Sequence, residues 1–225
     1  MKLISKTLAA ASLATVAMAA APAAAQVSGN MGVVSAPAAI AATNARATAY
    51  QQISTTYASQ IQQIQQKQQQ AQALLVQLDT NSDGQLDQAE QQAAQNAPQA
   101  QQIQTLERET AQLSNQVDLA RIYAVEQILM QYGAALETVV QQDNLQIVLS
   151  PDAVQYSVPA ANVTQKVVNA LNARVPSVQI TPPQEWQPSQ QTVNAYQQIQ
   201  QILMVAAARQ QQAAQQQQQP ASNGR

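Results

Sequence analysis

The sequence predicts a mainly α chain with a small β base, from which a long antiparallel coiled-coil hairpin projects. Three observations predict it. Two heptad-patterned stretches of similar length flank a short polar loop. Short β-branched runs lie just outside them, at Met31–Ser35 and Leu145–Ser150. The chain has no Phe, one Trp and six Tyr in 225 residues. With so few rings to remove from water and so much Gln and Ala, narrow helical seams are favoured over a wide core.

The first 25 residues read as a separate object. Lys2 and Lys6 form a basic start, Leu3–Ala20 is apolar and Ala-rich, and Ala23-Ala24-Ala25 fits a signal-peptidase site, so Gln26 is the expected mature start. The competing reading, a membrane anchor, needs a longer apolar run of about 20 residues. Removing the leader leaves eight basic against twelve acidic residues. That balance argues against nucleic-acid binding, which needs a cationic surface. The chain has neither Cys nor His. Disulfides, zinc sites and Ser–His or Cys–His nucleophiles are therefore excluded.

A base domain is expected from residues 26–39 and 144–180. Met31–Ser35 reads as its first strand, ended by Pro37. From Ile40 the period changes to that of a helix. Tyr50, Ile53, Tyr57, Ile64, Ala71, Leu74 and Leu78 share one heptad frame, with Gln60 and Lys67 as polar interruptions. Residues 40–78 would make a helix about 58 Å long, and so narrow a stripe needs a partner. Pro98 opens the returning helix, expected over 99–142. Ile103, Leu106, Thr110, Leu113, Val117, Ala120 and Ala124 hold one frame. After a shift near Leu119, Ile122, Val125, Leu129, Tyr132, Leu136 and Val139 hold another. The whole hairpin spans 40–143.

Beyond it, Leu145–Ser150 reads as a second strand, Val154–Val158 as a third and Ser177–Ile180 as a fourth, with a helix over 159–174 between the last two. Few strands leave exposed edges, which usually find cover in another subunit. Residues 181–209 read as a proline-rich linker, with Trp186 as a packing anchor, followed by a helix that Ser189 caps. The Gln-rich stretch 210–225 is expected to be disordered.

The sharpest local signal is the hairpin's tip loop, residues 79–90. It matches the twelve-residue EF-hand pattern, with Asp79, Asn81, Asp83, Gln85, Asp87 and Glu90 at ligand positions and Gly84 at the reversal. Oxygen donors at alternate positions suit a hard cation, here a weak, structural Ca2+ site; a polar turn that only reverses the chain is the plainer reading. A paired-carboxylate hydrolase has only this one loop to draw on. Arg46, Lys67, Arg108, Arg121, Lys166 and Arg174 are scattered, which suits solvated faces and occasional interhelical pairs.

Strand, long hairpin, strands and helix, in that order, resemble the Skp/OmpH family of periplasmic chaperones. The residues that carry the resemblance are Met31–Ile40, the hairpin, Ile147–Val154 and Val163–Val175. It implies a homotrimer with a small β-barrel-type trimerisation domain and three projecting tentacles. It also implies a non-enzymatic holdase for unfolded outer-membrane proteins in the periplasm, with no stable membrane insertion. Members are often strongly basic, whereas this chain is acidic, and the tip loop and the extension after Thr181 lie outside the family's core pattern. The alternative is a calcium-binding cell-envelope protein with the hairpin as a stalk.

Overall fold

The structure is a computed structural model and describes residues 29–95 and 97–218. The expected leader and mature start fall outside those residues.

Strand β1 (Asn30–Val33) pairs in parallel with β2 (Leu145–Leu149), in a two-stranded sheet. Parallel strands need a crossover connection, and here the entire hairpin is the crossover. Gly32 allows the close approach. A Cβ there would sit 2.9 Å from Leu145 Cδ1 and 3.2 Å from Val163 Cγ2.

The outgoing arm is three helices rather than the single one expected. Helix α1 (Ala36–Ala41) is capped by Ser35 and opened by a proline. Thr43 breaks the chain and caps α2 (Asn44–Thr56), its hydroxyl accepting from Arg46 N at 3.3 Å and donating to Ile40 O at 2.8 Å. Tyr57 marks a second break before α3 (Ala58–Leu78). The short α4 (Gln88–Ala94) follows the tip loop. The return arm is one helix, α5 (Pro98–Gln142). Asn144, at φ 50, turns the chain from α5 into β2; Asn tolerates the left-handed region better than most residues.

Two expected strands do not form. Residues 154–158 are irregular, between short 3-10 turns at Pro151–Ala153 and Pro159–Ala161. Residues 177–180 are also irregular. Both carry β-branched residues; on the outer side of β1 the chain pairs only later, in an isolated bridge between Val33 and Asn162. The expected helix over 159–174 is that second 3-10 turn followed by α6 (Thr164–Arg174). The last helix, α7 (Gln190–Gln218), runs into the tail expected to be disordered; residues 219–225 lie outside the described ones. Ala and Gln are good helix formers, and a docked first half removes the cost of nucleation.

The main core joins α1, α5, α6 and α7. Ile40, Val125, Ile128, Val167, Leu171 and Ile199 are all 0% exposed within it. A smaller cluster of Ile53, Val117 and Ala120 continues up the hairpin. Above it packing thins sharply, and α3 has no buried residue. Lys67, one of the two polar interruptions of the seam, pairs with Glu109 across the hairpin. Lys166 joins Asp143 at 2.6 Å and ties α6 to the end of α5.

This gradient sets the expected stabilities, read by denaturant unfolding at fixed protein concentration. Leu171→Ala should cost about 3 kcal/mol, as a truncation in a closed core. Val76→Ala, at a residue 62% exposed, should stay within about 0.5 kcal/mol.

Candidate functional site

Two features of the hairpin are candidates: the tip loop and the thinly packed arms below it.

The tip loop is held by its own acidic and amide side chains. Gly84, at φ +83, makes the reversal. Asp79 accepts from Gly84 N at 2.8 Å and from Asp83 N at 3.2 Å. Asn81 Oδ1 accepts from Asp83 N at 2.9 Å, and Asp83 Oδ1 from Gln85 N at 2.8 Å. Asp87 caps α4 and forms a capping box with Glu90. Glu90 is the keystone. Its Oε1 accepts from Thr80 N at 2.7 Å, Thr80 Oγ1 at 2.8 Å and Asn81 N at 3.0 Å, while Oε2 accepts from Asp87 N at 3.1 Å.

Five of the six predicted ligand positions thus accept hydrogen bonds from the loop itself, and Glu90 links its two ends. Asp79, Asn81 and Asp83 gather round the loop's backbone amides, and Asp87 sits at the start of α4. Gln85 is exposed. Among the described residues, no three carboxylates converge as a metal-holding group. The donor set is all oxygen, as a hard cation requires. A cation at its centre would have to compete with the hydrogen bonds that both Glu90 oxygens already accept.

Those hydrogen bonds hold the Glu90 carboxyl below its usual range, the Thr80 hydroxyl first and the Asp87 and Asn81 amides next. A lowered carboxyl favours the ordered loop above its free value of 4.5, and that support is lost as pH falls through the lower folded value. The amide signals of Thr80, Asn81 and Asp87 should therefore shift together in an NMR titration, with a midpoint below 4.5. Glu90→Gln should abolish that common step.

Along the arms, Leu74 and Ala73 of α3 face Pro98, Thr105 and Leu106 of α5 across an open, mainly apolar groove. The heptad reading located this seam. It did not locate Glu126, which holds the C-terminal segment through Trp186 and Thr192. A lone acid among Ala, Val and Gln on a helix carries no signal of a distant partner.

Three comparisons bear on the chain. The model of a family described as "Outer membrane protein (OmpH-like)" matches residues 30–171. A crystal structure from Caulobacter crescentus CB15, of a candidate outer membrane chaperone (OmpH-like), is 19% identical, with a TM-score of 0.42. The likeness covers 70% of this chain and 94% of that one. No curated protein matches. The family match takes in β1, the whole hairpin, β2 and most of α6, which is more than half of the sequence, and the chain belongs to the OmpH-like outer membrane protein family.

Proposed function

We propose that this chain is a periplasmic holdase, binding unfolded outer-membrane proteins and keeping them from aggregating before insertion. The observation that carries the reading is the packing gradient of the hairpin. Its root is closed by a core, whereas α3 buries no residue, leaving Ile61, Ile64, Leu74 and Leu75 half-buried and Val76 in water. A surface of this kind offers shallow apolar contact to a non-native chain without a fixed pocket.

A homotrimer fits the base. Met31 of β1 is 49% exposed, Tyr156 and Val158 of the following irregular stretch are 85% and 53% exposed, and among the described residues no strand pairs with the outer edge of β2, an arrangement that other copies would cover. The leader read in the sequence supports export. Among the described residues, no helix is long and apolar enough to cross a membrane. Binding without catalysis is in keeping with the family and with a chain that lacks Cys and His.

Light scattering on the chain from Gln26 should give three times its mass, with a hydrodynamic radius larger than that of a globule of equal mass; a compact monomer would sink the architecture. In an aggregation-suppression assay, Leu74→Glu should weaken client holding about tenfold, or ~1.4 kcal/mol, with native mass unchanged. Because the chain is acidic, capture rests on apolar contact. Client affinity should therefore change little between low and moderate salt, whereas capture through charge would fall steeply.

A second reading concerns the tip. The EF-hand pattern and Gly84 at its sixth position in the left-handed region favour a weak calcium site. Calorimetry with Ca2+ should then show binding that Asp79→Ala removes. Holding unchanged by chelator would leave calcium a structural part of the tip.

A further inference from the structure

The family match ends at residue 171, and the following segment is closely tied to the hairpin root. Val175 and Val178 pack on the main core. The backbone of Gln179 is clasped by the Gln127 amide, which donates to its carbonyl at 2.9 Å and accepts from its N–H at 3.0 Å. Ile180 covers the cluster of Ile53, Val117 and Ala120. Trp186 stands edge-on to Tyr123, with centroids 5.0 Å apart, and its indole N–H donates to one oxygen of Glu126. Thr192, 1% exposed, donates to the other at 3.1 Å. Along α7, Tyr196 donates to Asp118 at 2.9 Å, Ile199 is fully buried, and Gln200 reaches the hydroxyl of Tyr50 on the opposite arm.

The apolar side of α7 packs on α1 and the main core, while the polar ties fall on the stretch of α5 between Asp118 and Gln127 and reach Tyr50 of α2. They stop level with the break at Tyr57, which packs on the same cluster as Ile180. Beyond that level α3 has no buried residue. We propose that residues 175–203 form a brace that fixes the angle at which the hairpin leaves the base and moves its bending point outward to Tyr57 and Val117.

The geometry sets the size of the effect. From Gln142 to Pro98, α5 is a lever of roughly 66 Å, and from Val117 to Pro98 it is roughly 29 Å. The same angular fluctuation therefore sweeps the tip about twice as far when it acts at the base rather than at Val117. The brace acts within one chain, so it stands apart from the client-holding reading.

The protein has no Cys and one Trp, which suits spin labels and fluorescence. Gln165→Cys on α6 and Glu107→Cys on α5 would carry the labels. Diluting labelled with unlabelled chains keeps the measured distances within one chain. Glu126→Ala should red-shift Trp186 emission and broaden the label-to-label distribution about twofold, with hydrogen-exchange protection of β2 and α6 unchanged. Trp186→Ala with Thr192→Ala, which leaves Glu126 in place, should broaden it to the same degree. An unshifted Trp186 emission would overturn the Glu126 anchor. Unchanged widths would overturn the brace. Broadening accompanied by loss of β2 and α6 protection would also overturn it, since the segment would then only complete the core.

Discussion

Helix α5 is the constraint on which the rest of the structure depends. It runs unbroken for 45 residues and packs against α1, α2, α3, α6 and α7. At its far end α3 lies along it. In its middle it meets α2 on one side and the C-terminal segment on another. At its base α1, α6 and α7 close round it. The outgoing arm can break at Thr43 and Tyr57 because α5 does not. Its length also determines where β2 begins, so β1 and β2 can meet only when both arms run the same distance.

This sharing of one helix explains what could be read in the sequence. Where α5 has a single partner, the heptad rule held. Ile103 is buried and Leu106 and Leu113 are half-buried, opposite Ile64, Ala71 and Leu74. The frame shift near Leu119 was also visible, because the partner changes there. What the heptads left out were Ile128 and Ala135, both 0% exposed. They lie outside both frames and are covered because the root has several partners at once, whereas a heptad frame describes one. The strands expected at 154–158 and 177–180 show the complementary error. Alternating β-branched residues state a preference, and a strand also needs an edge to pair with. Trp186 was readable as an anchor, because a ring among prolines has little else to do. Its partner Glu126 was not, because nothing local marks an acid that will meet an indole 60 residues away.

The same contrast separates the two candidate features. The tip loop was legible residue by residue, since turn chemistry is local, and the structure keeps Gly84 at its positive φ. Less legible was the use of its acids. Asp79, Asp87 and Glu90 all accept backbone N–H groups, and Glu90 gathers four donors from three residues. The polar loop is thus as well organised internally as the apolar root, although it stands at the end of the least buried part of the molecule.

The parallel pairing of β1 with β2 also orders events during folding. Its partners, Asn30 with Leu145 through Val33 with Leu149, are over a hundred residues apart, and closing so long a loop early carries a large entropy cost. The contacts between α3 and α5 near the tip are the closest in sequence, and each turn zipped below them shortens the loop that remains. The sheet is therefore the last part to assemble. Until the hairpin has closed to its root, β1 is an unpaired strand, and an interrupted hairpin leaves its edge free to capture a strand of another chain.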